Sequence, residues 1–270
     1  MARRRVPERP APAAPVSANR RWWLIAFGLA AVLAFALATL PASVLARQLP
    51  RLGLSAAALS GSVWTGHAQA LSWRAAPLGD LSWSISPLSL LRGRIAGDLD
   101  LVRADGRVRS SVSASLGGQL RLAGVTADLP VEALATLPFG LPRGWRGRIS
   151  GQFEEIIVQG GWPTSLRGTL DMDGLIAPPP RNTTIGSYHI VIPDPQAGET
   201  APDELHARVV DKEGPFSFEG RFTLGADRSF LLEGTLAPRG STPPALARSL
   251  ELLGPADAAG RRPVSVSGTL

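Results

Sequence analysis

The sequence predicts a mainly β protein: a single N-terminal transmembrane helix followed by a strongly curved antiparallel β-sheet or open roll with one or two short helices. Three observations support this fold class. The 29 glycines and 24 prolines are spread along the 270 residues, which suits many short strands joined by turns. Apolar and polar residues alternate in several segments. One long uncharged apolar run lies near the N-terminus.

The alternating segments have the period of a strand with one buried face. They are residues 81–85 (LSWSI), 107–116 (RVRSSVSASL) and 263–270 (PVSVSGTL). Successive side chains of a strand point to opposite faces, so each segment gathers its apolar residues on one side. A plain β-sandwich is the alternative architecture for such strands.

A second pattern places a glycine between two large apolar residues, each two positions away. Its centres are Gly61, Gly93, Gly97, Gly118, Gly147, Gly151, Gly160, Gly168, Gly174, Gly220, Gly234 and Gly268. Roughly three such centres are expected by chance, so the pattern is enriched. On a strand the glycine leaves a gap in the apolar face, which favours inward bending of the sheet.

Two segments have helical signals. Residues 128–137 begin with a capping Asp128 and carry a proline in the first turn, and residues 241–253 place Leu246, Leu250 and Leu253 on one face before a glycine. We expect each to form a short helix that covers an edge or an end of the sheet.

The apolar run, residues 22–40, is long enough to cross a membrane: 19 uncharged residues at about 1.5 Å each span roughly 28 Å. Six arginines precede it, so the positive-inside bias puts the N-terminus in the cytoplasm and the remainder in the periplasm. Residues 1–21 read as a disordered cytoplasmic tail. The alternative is a signal peptide cleaved after residues 44–46, although the run exceeds the usual signal length.

The remainder of the chain divides into a predicted periplasmic linker, residues 41–57, and a periplasmic β domain, residues 58–270. The proline-rich stretch at 176–182 is either a loop or a boundary between two lobes, and residues 193–202 form another loop.

The net charge of +6 lies mostly in the tail. Residues 1–21 carry six arginines against Glu8, or +5, which leaves 22 basic and 21 acidic residues, or +1, elsewhere. A nearly neutral body offers no extended basic face, so we expect no nucleic-acid partner.

No catalytic, cofactor-binding or metal site is predicted. The chain has no cysteine, and His67, His189 and His206 are isolated from one another. The carboxylate pairs Asp98/Asp100, Asp171/Asp173 and Glu154/Glu155 are the remaining candidates, and the first two have the spacing of a solvated strand face. Neither a nucleophile motif nor a phosphate-binding glycine loop occurs, so we predict that the protein is not an enzyme.

Five tryptophans lie beyond the apolar run: Trp64, Trp73, Trp83, Trp145 and Trp162. They could stack on sugars such as peptidoglycan, or they could fill the gaps left by the strand glycines. Their alternation with serine and glycine favours the second role.

Several short motifs occur in a fixed order behind the apolar run. Residues 59–68 read Leu-x-Gly-x-Val-Trp-x-Gly-x-Ala, and residues 81–93 contain Trp-x-Ile-x-Pro followed by Leu-Leu-x-Gly. Together with Leu-Pro-Ala at 40–42, Gly-Gln-Leu at 118–120 and Ala-Asp-Leu-Pro at 127–130, they resemble protein N of the bacterial type II (general) secretion pathway. The resemblance covers about residues 40–150 and thins beyond Pro178. Members of the family often carry a C-terminal cysteine pair, which this chain lacks.

The resemblance implies a non-enzymatic accessory subunit of the inner membrane that supports export of folded periplasmic proteins across the outer membrane. Its partners would be the membrane lipid bilayer and other subunits of the secretion system. Two alternatives stay open: a lipid-handling periplasmic protein like the AsmA proteins, with lipid in an apolar groove, and an envelope enzyme or peptidoglycan binder that uses the tryptophans.

Overall fold

The computed structural model describes residues 22–23, 27–29, 32, 35, 39–74, 76–135, 143–196, 204–240, 242, 247–248, 250 and 254–269. The chain forms two units, Met1–Leu40 and Pro41–Leu270. The predicted tail, residues 1–21, and much of the predicted anchor, residues 22–40, lie outside the described residues. Within the part that is described, no helix combines the length and the apolar character needed to cross a bilayer.

The second unit consists mainly of antiparallel strands, fourteen among the described residues. They are β1 (Leu54–Ser55), β2 (Ala58–Gly61), β3 (Thr65–Trp73), β4 (Ala76–Ser86), β5 (Arg94–Val102), β6 (Arg107–Ser115), β7 (Leu120–Pro130), β8 (Arg146–Gln159), β9 (Trp162–Ile176), β10 (Thr184–Ile192), β11 (Glu204–Glu213), β12 (Phe216–Gly225), β13 (Ser229–Pro238) and β14 (Arg262–Thr269). From β3 onward each strand pairs with the next one along the chain, while β1 and β2 both pair with β3. The predicted mainly β class with antiparallel pairing is confirmed.

Four short helices have both ends among the described residues. They are α1 (Ser43–Ala46), α2 (Val131–Leu134) and the 3₁₀ helices Leu49–Leu52 and Pro87–Arg92. Both 3₁₀ helices carry proline in the first turn and end at a glycine in the left-handed conformation, as those residue types favour.

The helix predicted at 128–137 starts later than expected, and its predicted cap is wrong. Asp128 belongs to β7, where it pairs with Ser150 of β8, and its carboxylate accepts a hydrogen bond from Arg148 at 2.6 Å. Helix α2 follows from an extended Pro130. The ladder with β8 therefore outweighs the local capping signal of the aspartate. Residues 136–137 lie outside the described part of the chain.

The segment predicted as a linker, residues 41–57, is packed against the sheet. Pro41 forms a bridge with Ser62, and Leu54 pairs with Trp73. Ala42 is only 1% exposed and lies in the same apolar cluster as Leu71. The compact unit therefore begins at Pro41 instead of residue 58, because the apolar residues of this segment are buried on the sheet.

The stretch at 176–182 is a turn within one sheet: β9 and β10 flank it and pair with each other. For the second predicted helix, 241–253, the described residues Ala247, Arg248 and Leu250 are helical and Leu250 is 5% exposed. Its remaining apolar positions, Leu246 and Leu253, lie outside the described residues.

The register separates an apolar face from a polar face across the sheet. Residues that pair across neighbouring strands point to the same face of the sheet. Trp83, Leu99 and Ser110 form one such row across β4, β5 and β6, and Leu81, Leu101 and Val108 form the next row on the same face. The same face continues through β12, β13 and β14, where Phe222 lies opposite Leu232 and Leu232 opposite Val266. The apolar face therefore runs from β3 to β14.

Glycines interrupt the apolar face, and aromatic rings cover several of the gaps. A β-carbon placed on Gly66 would lie 2.3 Å from Trp83, and one on Gly268 would lie 2.7 Å from Phe230. Phe218 lies in the same way against Gly220. Three centres of the sequence pattern are not in strands: Gly93 ends a 3₁₀ helix, and Gly118 and Gly160 lie in turns. The pattern thus marks both turns and gaps in the apolar face.

Short connections bury two parts of the apolar face. The segment that starts at Pro41 covers Ala68, Leu71 and Trp83. Helix α2 places Val131, which is 0% exposed, against Ile149 and Leu175. The sequence predicts that the first helical segment covers an edge or an end of the sheet; its helix α2 instead covers the apolar face of the central strands β8 and β9.

Candidate interaction surface

The polar face of β3 to β6 carries a ladder of hydrogen-bonded side chains. Asp100 accepts hydrogen bonds from Arg107 and Arg109, and Asp98 accepts one from Ser111 at 2.6 Å. These strands line a cleft of about 700 Å³ on this face. Both carboxylates point away from the apolar face of the sheet, which confirms the solvated face predicted from their spacing.

The two arginines determine the acidity of Asp100. The hydrogen bond from Arg107 has the largest effect and, with that from Arg109, outweighs partial burial and lowers the pKa of Asp100 to about 2. A carboxyl group with this pKa is ionised at neutral pH and is engaged by its own neighbours. It is therefore a poor general acid or base.

The histidine beside this ladder does not complete a catalytic triad. Nδ1 of His67 lies 3.0 Å from the Ser82 hydroxyl oxygen. Ser82 pairs with His67 on one neighbouring strand and with Asp100 on the other. The serine therefore lies between the histidine and the carboxylate, and Asp100 is not next to the second imidazole nitrogen. A serine nucleophile needs the acid on the far side of the histidine, and this order does not provide it.

The other two histidines are held by polar neighbours on β9, β11 and β12. Nδ1 of His189 lies 2.9 Å from Asp171, and Nδ1 of His206 lies 3.0 Å from the Thr223 hydroxyl. Lys212 donates to both Asp171 and Asp173, at 3.1 and 3.0 Å. Burial favours a higher pKa for Asp171, but these hydrogen bonds outweigh it and hold the pKa below its usual value. The described residues contain no group of three or more ligands suited to a metal ion.

A buried aspartate, Asp194, holds the residues just after β10 against β11 and β12. The side chain of Asp194 is 3% exposed, and it accepts hydrogen bonds from the Gln196 backbone at 2.9 Å and from Arg221 Nε at 2.7 Å. Its own N–H donates to the His206 carbonyl. Desolvation acts to raise the pKa of Asp194, but the hydrogen bonds from Gln196 and Arg221 outweigh it and hold the pKa below its usual value.

Replacing Asp194 by alanine is expected to lower the free energy of unfolding by about 1–3 kcal/mol, because the partly buried donors lose their acceptor. Since the folded pKa is depressed, this contribution is full above the ordinary carboxyl value of 3.8 and is lost as the pH falls through the folded value. Urea denaturation of the full chain near neutral pH and below pH 3.8 measures both effects. Asp105→Ala is the control, because Asp105 forms an exposed ion pair with Arg103. An equal loss in both variants would contradict the assignment.

The tryptophans of the body occupy different positions. Trp83 is 7% exposed, covers Gly66 and donates from Nε1 to the Val63 carbonyl at 3.0 Å. Trp145 packs against the cluster under α2. The predicted role as a filler is confirmed for Trp83. Trp64, Trp73 and Trp162 are partly exposed.

The two edges of the sheet differ in how open they are. On one side the edge strands β1 and β2 span two and four residues. On the other side β14 spans eight residues and pairs only with β13 among the described strands. Its single charged residue is Arg262, and residues 265–269 are exposed. Natural edge strands usually carry charges, prolines or bulges that block pairing, and β14 has only Arg262 and Pro263, both at its start.

Two features had no functional signal in the sequence. Asp194 lies in a loop whose neighbours, Pro193 and Pro195, indicate a turn but not a buried carboxylate. The exposed leucines of the 3₁₀ helix Pro87–Arg92 coincide with a motif of the resemblance, but the motif itself does not reveal their exposure.

Fold and surfaces together define an antiparallel β-meander with one apolar face, one polar face and one long edge that has no partner among the described strands. No solved structure matches the chain significantly. The family model for the type II secretion system (T2SS) protein N matches residues 52–265. The chain therefore belongs to the family of type II secretion system protein N.

Two curated relatives are similar over nearly their whole length. Type II secretion system protein N of Aeromonas hydrophila is 27% identical over 259 residues, covering 92% of this chain and 98% of the relative. The protein of the same name from Vibrio cholerae serotype O1 is 24% identical over 237 residues, covering 86% and 91%. The resemblance predicted from the motifs is confirmed, and it extends well beyond Pro178.

Proposed function

We propose that the chain is a non-enzymatic inner-membrane accessory subunit of the type II secretion system, supporting export of folded periplasmic proteins across the outer membrane through contacts with other subunits. The observation that carries the proposal is the family match over residues 52–265. The hydrogen-bonded state of the described histidines and carboxylates supports a role through binding instead of catalysis.

The membrane arrangement is part of this proposal. Residues 22–40 anchor the protein, the arginine-rich residues 1–21 stay in the cytoplasm, and the sheet lies in the periplasm. The support comes from the 19-residue uncharged run and the charge of +5 before it. The unit Pro41–Leu270 then begins directly after the anchor.

Strand β14 is the proposed contact with another subunit. A partner strand added to an open edge gains main-chain hydrogen bonds, and the alternating side chains supply specificity. The exposed residues 265–269 and the absence of charge after Arg262 support this choice of edge.

We also propose that the sheet is strongly curved, as the glycine pattern predicts. Register shifts occur between Arg109 and Ser111 on β6 and between Phe153 and Glu155 on β8. Bulges and strand glycines are the devices by which antiparallel sheets bend. Their repeated occurrence along the meander supports the proposal.

Deletion of the gene is expected to block release of secreted enzymes from the cell while their export to the periplasm continues. Enzyme activity assayed separately in the medium and in the periplasmic fraction measures this. The wild-type chain should restore secretion, and normal secretion in a deletion strain that lacks a second copy would contradict the proposed function.

The same strain tests the contact at β14. Ser267→Lys places a charge on the exposed edge strand and is expected to reduce secretion and co-purification of partner subunits. Gln152→Lys is the matched control, because Gln152 is an exposed polar-face residue of the central strand β8. Full secretion with Ser267→Lys would show that β14 is not the contact with another subunit, and it would leave the family assignment unchanged.

The lipid-handling alternative requires an apolar groove. The described cleft of about 700 Å³ includes His67, Asp98, Asp100 and Arg109 on the polar face, so it does not supply that groove. Lipid that co-purifies with the chain and resists detergent exchange would favour the alternative over the proposed function.

A further inference from the structure

Exposed aliphatic side chains cluster at one end of the sheet. Nine large apolar residues are exposed among the described residues of the second unit, and five of them form what is here termed the leucine patch. These are Leu88 (70% exposed), Leu90 (43%), Leu91 (85%), Ile95 (50%) and Leu116 (90%). The first three belong to the 3₁₀ helix Pro87–Arg92 between β4 and β5. A contiguous exposed patch of this kind marks a binding surface.

The members of the patch are neighbours in the fold. Ile95 pairs with Ala114 and Arg94 with Ser115 across β5 and β6. A β-carbon placed on Gly93 would lie 3.7 Å from Cδ1 of Leu116. The 3₁₀ helix and the turn between β6 and β7 therefore present their leucines side by side.

The patch lies at the end of the sheet where the chain enters it. Pro41 bridges Ser62 in the turn between β2 and β3, and Ala42 donates to the Gly61 carbonyl. In an antiparallel meander, the turns β2–β3, β4–β5 and β6–β7 lie at the same end, which we call the Pro41 end. At a strand spacing of roughly 4.8 Å, Leu116 is only four strand positions, or roughly 19 Å, from this point of entry. Residues 22–40, the proposed anchor, immediately precede Pro41.

Charge at the patch fits a lipid surface. Arg92 and Arg94 flank the leucines, are exposed, and form no ion pair with any described residue. Arginine beside exposed aliphatic residues is the composition of segments that bind at the boundary between lipid headgroups and acyl chains. Hot spots of protein partners are instead rich in tryptophan and tyrosine and poor in leucine.

We propose that the leucine patch rests on the phospholipid bilayer, with Leu88, Leu91 and Leu116 inserted at the interface and Arg92 and Arg94 beside the phosphate groups. The inference rests on the anchor in the proposed function. It gives the sheet a second attachment to the membrane and holds the Pro41 end against the bilayer.

The experiment uses the full chain in vesicles of phosphatidylethanolamine and phosphatidylglycerol. The native protein has no cysteine, so Leu91→Cys and Leu116→Cys each accept a single nitrobenzoxadiazole label. Leu52→Cys is the matched control, because Leu52 is 66% exposed and lies next to Gly53, near Trp73 at the opposite end of β3. Spin-labelled acyl chains are expected to remove about half of the fluorescence at positions 91 and 116 and little of that at 52.

Equal quenching of the labels at 91 and 52 by aqueous iodide, with no quenching by spin-labelled lipid, would overturn the inference. Carbonate extraction of the same vesicles distinguishes this result from failure of the anchor. If carbonate extracts the chain, the membrane arrangement in the proposed function is wrong. If the chain is retained but the label at 91 is exposed to water, only the proposed membrane contact of the leucine patch is wrong. The unchanged β-sheet circular dichroism expected of these surface variants excludes misfolding as the cause.

Discussion

Replacing Trp83 by alanine is expected to lower the free energy of unfolding by about 3–5 kcal/mol, the range found for deleting a buried aromatic ring. The ring is 7% exposed and contacts the apolar cluster that joins Ala42, Ala68 and Leu71. Its Nε1 also donates to the Val63 carbonyl. The substitution therefore opens a cavity, removes a hydrogen bond and loosens the segment that starts at Pro41. Urea denaturation of the full chain in detergent measures the loss, with unfolding monitored by the circular dichroism of the β-sheet instead of by tryptophan fluorescence.

Trp73→Ala is the matched control on the neighbouring strand. Trp73 is only partly buried, and its Nε1 donates to the Leu52 carbonyl at 3.2 Å while Arg74 lies over its ring. Less apolar area is lost, so its cost should be clearly smaller. A loss at Trp73 equal to or larger than that at Trp83 would show that the cluster at Ala42 is not a main source of stability.

The second large effect is expected at Gly234, where valine should destabilise the protein by about 3 kcal/mol, at the upper end of the usual cost of overpacking. Gly234 lies opposite Gly220, and a β-carbon on it would lie 2.5 Å from the Glu219 carbonyl oxygen and 3.0 Å from the Phe218 ring. The oxygen belongs to the backbone of β12 and cannot move without breaking the ladder. Strand propensity alone favours valine by at most about 1 kcal/mol, so the steric cost decides the sign.

Gly240→Val provides the comparison for this substitution. A β-carbon placed on Gly240 would meet no atom of a described residue within 4 Å, and the residue does not adopt a left-handed φ. Its replacement should change the unfolding free energy by less than about 0.5 kcal/mol, as is typical of open surface sites. If both variants are equally stable, β12 and β13 do not approach each other as closely at Gly234 as the structure shows.

The apolar and polar faces could be predicted from the sequence, because a strand period of two is a local property. Residues 81–85, for example, place Leu81, Trp83 and Ile85 on the apolar face as expected. The start of α2 could not be predicted in the same way. Asp128 and the following proline are a genuine local helix signal, but the pairing of Asp128 with Ser150 depends on a strand 22 residues later.

The role of residues 41–57 also depends on distant partners. Nothing in their local pattern shows that Ala42 will meet Leu71 and Trp83, so the segment resembles a linker until the sheet is known. The burial of Asp194 has the same origin, since its partner Arg221 lies on β12. Local pattern thus predicts which face a residue occupies, whereas contacts between separate segments decide what is buried.

Some motif spacings that carried the family resemblance have a structural explanation. In residues 59–68, the Ser62 hydroxyl accepts hydrogen bonds from the backbone of Trp64 and Thr65, and Gly66 leaves space for Trp83. In residues 81–93, the buried Ser89 hydroxyl donates to the Ser86 carbonyl and accepts from the Ala96 N–H. These contacts shape the Pro41 end of the sheet and require the serine and glycine at those positions of the two motifs in this chain.

The nearest-neighbour order of the strands also has a consequence for how the protein folds. Every pair from β3 to β14 joins segments that are adjacent along the chain, so contact order is low and no distant partner must be found. The sheet can therefore form one hairpin at a time, starting with the N-terminal strands. In that order of events β14 is the last of the described strands to join the sheet, so its outer edge is the last one that folding exposes.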